Sequence, residues 1–65
     1  MQLNRDTEDL LRYELNALKR THWAIAQGAG VYPATVTAFL GGGGLRLKTA
    51  ALLAEYVERE RERKA

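Results

Sequence analysis

The sequence predicts a small all-α domain of four helices. Three observations predict it. Apolar residues recur three and four apart along most of the chain, as at Leu11, Leu15 and Leu18, the period of a helix with one buried face. Glycine and proline punctuate the chain between such segments, at Gly28, Gly30, Pro33 and the run at 41–44, where helices stop and start. The 65 residues hold no internal repeat and no long linker. They therefore read as one domain spanning residues 1–65, with a marginal core, because a chain this short buries only about 60% of the surface its unfolded form exposes.

The first helix is expected over residues 6–19. Asn4 or Asp6 can cap it, and the acids of its first turn suit the positive end of the helix dipole. Leu11, Leu15 and Leu18 form its buried face, widened by Leu10. The second helix is expected over 22–28, with Thr21 as its cap and Gly28 and Gly30 ending it. Gly30 can take the left-handed conformation a tight turn needs. Pro33 announces the third helix, 33–40, because the first helical position does not use its N–H. Val36, Phe39 and Leu40 form its apolar face, and the glycine run stops it. The fourth helix is expected over 48–63, with Ala50, Leu53, Ala54 and Val57 as its buried stripe and Leu52 and Tyr56 flanking it. From Glu58 onward glutamate and arginine alternate. Glu55–Arg59 and Glu60–Lys64 are favourable pairs four apart, each worth about 0.2–0.5 kcal/mol. This tail reads as a solvated helix end that frays, or as a charged arm that pairs with a second subunit. Trp23, Tyr13 and Tyr56 read as core-edge residues, the two tyrosines alternatively as part of a dimer contact.

Composition excludes several function classes. There is no cysteine and a single histidine, which removes disulfides, thiolate metal sites and the usual structural zinc site. No cofactor is expected, and self-association remains as a source of extra stability. His22 has no carboxylate close to it in sequence and the chain offers no obvious cleft-forming architecture; threonines and a lone histidine are not a triad without a third orienting group. The chain is not expected to be an enzyme or to take a small-molecule substrate. No apolar run approaches the ~18 residues of a membrane span. The first residues lack the basic and apolar regions of a signal peptide. A cytoplasmic location follows as an expectation.

Charge is distributed unevenly although the net charge is only +2. Between residues 15 and 54 there is no acid, while Lys19, Arg20, Arg46 and Lys48 fall in that stretch. A basic centre suits a polyanion. The glycines at 41–44 read as a flexible connection whose first member caps the third helix, or as bare amides that approach a phosphate. The Lys-Ser or Lys-Thr of a nucleotide-binding loop does not follow them.

The segment from Thr21 to Gly41 has its own logic. Two short helices can cross at about 90–120° only if a small residue faces the second helix and the turn tolerates unusual torsions. Ala26 is small at the first place and Gly30 stands at the second, with Val31 and Val36 pointing inward. In this register the segment resembles the helix-turn-helix of the phage lambda repressor and Cro-like family. Thr21-His22, Ile25-Ala26, Gly30-Val31-Tyr32 and Val36 fill that family's places. The likeness extends through Ala38-Phe39-Leu40-Gly41 and Ala50-Ala51-Leu52-Leu53-Ala54.

The resemblance implies a lambda-repressor-like DNA-binding domain acting as a transcriptional regulator of repressor type, as in phages and mobile elements. It would place helix 33–40 in the major groove. It implies a homodimer on a palindromic double-stranded operator with half-sites about 34 Å apart; by elimination, the fourth helix and its tail are expected to make the dimer contact. The protein would be at the nucleoid when bound. His22 stands where the family usually has a glutamine that braces the recognition contacts. Pro33 and Ala34 stand where it often has polar base readers, which leaves Tyr32, Thr35 and Thr37, with Ala38 as a packing surface. Thr21 and His22 begin the second helix. Lys19 and Arg20 before it, and Arg46 and Lys48 after the glycine loop, are the expected phosphate contacts. No Arg, Asn or Gln on helix 33–40 offers a bidentate base contact, so modest base discrimination aided by DNA shape is expected. Two alternatives stay open. One is a protein-interaction module of the same fold that has lost DNA binding. The other is an antitoxin or accessory DNA-binding factor, such as a recombination directionality protein.

Overall fold

A computed structural model describes residues 5–64, with side chains through Arg63. Four helices follow one another: α1 (Arg5–Ala17), α2 (His22–Ala29), α3 (Pro33–Leu40) and α4 (Leu47–Lys64). Among the described residues there is no strand, and no helix is long and apolar enough to cross a membrane. The Cα radius of gyration, 10.7 Å, is what a close-packed chain of this length shows.

The helix period sets the core. Leu11, Leu15 and Leu18 meet Ile25, Ala26 and Ala29 of α2, Val36 and Phe39 of α3, Leu45, and Ala50, Leu53, Tyr56 and Val57 of α4. Phe39, Leu15, Ile25, Leu53 and Val36 are its fully enclosed centre. Two expectations for α4 need correction. Ala54 is exposed and Tyr56 is buried, so the stripe runs Ala50, Leu53, Val57 with Tyr56 beside it. Its next place, three residues on, is Glu60.

The helix ends follow local chemistry. α1 stops at Ala17 rather than Lys19, because Lys19 takes a left-handed φ of 54°. The turn is closed by Leu18 N–H donating to the Leu15 carbonyl (3.3 Å) and Lys19 N–H to that of Asn16 (3.1 Å). Asp6 lies inside α1 and so does not cap it, and Asn4 lies outside the described residues. Thr21 caps α2: its Oγ1 accepts the Ala24 N–H at 3.0 Å. Gly30 ends α2 with φ 77° and ψ 33°. The N–H groups of Gly30 and Val31 both reach the Ala26 carbonyl, at 2.9 and 3.0 Å, which satisfies a helix-end acceptor. Gly28 is not a terminator. It sits within α2, where a Cβ would lie 2.2 Å from Tyr56 Cε1, so its lack of a side chain admits the buried ring.

The glycine loop is not a slack connection. Arg12 donates from Nε to the Phe39 carbonyl (2.7 Å) and from Nη2 to that of Gly43 (2.6 Å), with its guanidinium 4.5 Å from the Phe39 ring centroid. Gly41, Gly42 and Gly43 N–H groups return to the carbonyls of Thr37, Phe39 and Ala38. Leu45 N–H donates to Glu8 Oε2 at 3.2 Å. Those amides are spent inside the fold, so they do not form a bare anion cradle.

The tail of α4 is solvated as expected at Glu58, Arg59, Arg61, Glu62 and Arg63, but it is anchored at Glu60. Glu60 is 6% exposed and pairs with Arg20 at 2.6 Å. Arg59 donates to the Gly28 carbonyl at 3.0 Å rather than pairing with Glu55. Arg61 pairs with Glu14 of α1 at 2.7 Å. The expected Glu60–Lys64 pair lies outside the described side chains. The tail is thus tied to α1 and α2 by charge where no apolar residue remains to bury.

Candidate nucleic-acid interface

α2 and α3 form a helix, a short turn at Gly30–Tyr32, and a second helix. Their buried residues fix which sides face out. On α3, Val36 and Phe39 point into the core, while Pro33, Ala34, Thr37 and Ala38 are exposed. Ala34, Thr37 and Ala38 are three and four apart and share one outward side. Thr35 and Leu40 are half-buried, so Thr35 lies at the edge of that side. Tyr32 holds the N-cap position without a side-chain capping bond and is 81% exposed.

One contact joins the exposed start of α2 to the outward side of α3. His22 Nδ1 and Thr37 Oγ1 share a hydrogen bond of 3.0 Å, whose direction follows the imidazole tautomer. Through it the first residue of α2 braces the middle of α3. Thr21 spends its hydroxyl on the α2 cap.

The cations divide into two groups. Lys19, Arg46 and Lys48 are exposed and hold no ion pair among the described residues. Arg20 is 40% exposed and committed to Glu60. Between residues 21 and 45 the chain carries no Lys, Arg, Asp or Glu, so α2, the turn and α3 present a surface free of formal side-chain charge, with cations just before and just after it in sequence.

Trp23 is the exposed residue that sequence reasoning placed wrongly. It is 63% exposed and does not cover the core edge. Two residues along a helix turn through about 200°, so Trp23 points away from the buried Ile25. That offset was the available signal. Tyr13 is likewise 71% exposed, outside the core.

Comparison of the chain with protein-family models, with curated proteins and with solved structures returned no match.

Proposed function

We propose that the chain binds double-stranded DNA and regulates transcription as a repressor, with α2 and α3 acting as a helix-turn-helix and α3 entering the major groove. The observation that carries this reading is the braced unit itself. A capped α2, a left-handed Gly30 and a proline-started α3 are held together by the core that Ile25, Ala26 and Ala29 share with Val36 and Phe39, with the exposed His22–Thr37 bond across the outward side and small outward residues on α3. Reading a groove needs an exposed helix held rigidly at the surface. Small outward side chains let its backbone come close, and α2 and α3 carry no carboxylate of their own to repel phosphates.

In this reading Thr37, Tyr32 and the edge residue Thr35 supply hydroxyl groups to bases or backbone. Ala34 and Ala38 pack on thymine methyls, and Pro33 fits the groove wall. Thr21 and His22 approach a phosphate at the start of α2. Lys19, Arg46 and Lys48 grip the backbone, joined by the donors of Arg20 that Glu60 leaves over. A second copy completes the unit. Leu10 and Leu47, 59% and 50% exposed, flank an apolar groove between α1 and α4 with Ala51 and Ala54 on its wall. That groove supports a homodimer contact beside the tail. Leu10→Asp should shift the mass seen by light scattering from dimer to monomer.

A protein-interaction module is the second reading. It is favoured by the exposed Pro33, Ala34 and Ala38 with Trp23 and Tyr32, and by the lack of any Arg, Asn or Gln on α3 for a bidentate base contact. Gel-shift titration with random duplex DNA at two salt concentrations, followed by site selection, separates the two. Binding that weakens steeply with salt and enriches a symmetric site supports the repressor reading. No binding at low salt sinks it and leaves the module.

A further inference from the structure

The tail of α4 sorts its alternating charges by helical period. Arg59 and Arg63, four apart, fall on the side that meets α2, together with Glu60. Glu58 and Glu62, also four apart, line a separate outer surface with Arg61. The α2 side opens into a cleft of about 220 Å3 between α2 and the last turns of α4, and Arg20 completes its wall. Its floor is the Tyr56 ring against Gly28, a contact so close that no Cβ fits at that position.

Among the described residues, three guanidinium groups share this cleft with one carboxylate, a surplus of two positive charges. A structural lock for buried Glu60 needs only Arg20, whose Nη2 stands 2.6 Å from Oε1. Arg63 lies 3.7 Å from Oε2, beyond hydrogen-bond reach, and its side chain is 76% exposed. Arg59 spends one N–H on the Gly28 carbonyl. Each guanidinium carries five N–H donors in a planar fork matched to oxyanions, so most of these donors remain unassigned. Glu60 itself is too enclosed, at 7% side-chain exposure, to satisfy all three cations.

We propose that Arg20, Arg59 and Arg63 form an oxyanion site that takes a phosphate group. A phosphodiester of nucleic acid and a free phosphate offer the same chemistry. Taken as a backbone phosphate, the site rests on the DNA reading and extends the footprint along α2 from its start at Thr21. Taken as a free phosphate, it stands without that reading.

Two arms of one experiment on the full chain separate these sources. In the first, inorganic phosphate is titrated into labelled protein at constant ionic strength, balanced with chloride, and the arginine Nε–H and Gly28 amide resonances are followed by NMR. In the second, affinity for a random duplex is measured against salt. Arg63→Gln and Arg59→Gln are compared with Arg61→Gln, a cation of the same tail outside the cleft, and thermal melts establish that each variant is folded. Saturable phosphate shifts that Arg63→Gln abolishes and Arg61→Gln leaves intact assign a free-phosphate site, even if no DNA binds. A fall of about one in the salt slope for Arg63→Gln or Arg59→Gln, absent for Arg61→Gln, assigns a backbone phosphate. If free phosphate gives no saturable shift and all three variants change the salt slope alike, or not at all, the site is refuted. DNA binding that persists in that case leaves the repressor reading standing.

Discussion

Gly28→Ala tests the packing of α2 on α4, and its sign decides the matter. In an open helix the change should stabilise by about 0.8–1 kcal/mol, since alanine is the better helix former. Here the new Cβ would lie 2.2 Å from Tyr56 Cε1 and 2.8 Å from Cδ1, against about 3.5 Å for carbons at rest. The ring would have to retreat by roughly 1.3 Å from a site where it is 5% exposed. Overpacking of this kind costs about 1–3 kcal/mol, and a ring with so little room belongs at the upper end. The net loss is about 2 kcal/mol. In a domain of this size that lowers Tm by roughly 8–16 °C, read by circular dichroism at 222 nm. Tyr56→Leu removes Cε1 and Cζ, so in that background the same substitution should cost much less. A rise in Tm for Gly28→Ala alone would refute the contact.

Three further perturbations follow from the same geometry. Arg20→Met leaves the enclosed Glu60 with only the distant Arg63, and should cost about 1–3 kcal/mol in urea denaturation, discounted for the exposure of Arg20; an unchanged midpoint would mean that the tail is not anchored there. Arg12→Ala removes two bonds to loop and helix-end carbonyls and the stack on Phe39, so the amides of residues 41–45 should exchange with deuterium faster, while equal rates would show that the loop holds itself. Lys19→Gly relieves a left-handed φ on a residue with a Cβ and should raise stability by up to about 1 kcal/mol, whereas a loss would mean that the Lys19 side chain does more than point into water.

The helices themselves were legible in the sequence, because their signals are local. Thr21, Gly30 and Pro33 mark α2 and α3 through capping, left-handed torsion and a missing N–H, each readable within a few residues. The leucine period of α1 was equally plain. What was not legible depends on partners far along the chain. Arg12 finds the Phe39 carbonyl 27 residues away, Arg61 finds Glu14 47 residues away, and no local pattern encodes either. Glu60 shows the same limit: a glutamate in a charged tail reads as solvated until Arg20 meets it at the next place of the buried stripe. Gly28 read as a stop because its real reason, the Tyr56 ring, lies on another helix. For the candidate site, the grouping of residues around α2 and α3 was accessible from pattern and resemblance. The exposure of Trp23 was readable from its offset of two residues from Ile25, whereas the His22–Thr37 bond and the engagement of Arg20 required the packed structure.

The central claim is that the α2–α3 surface binds duplex DNA. It is tested most directly by titrating a selected duplex into labelled protein at low salt and mapping the amide shifts. Shifts should concentrate at residues 19–23, 32–38 and 46–48, with the α1–α4 groove around Leu10 and Ala51 unaffected once dimerisation is complete. Shifts confined to the α1–α4 groove, or none at all, would contradict that claim.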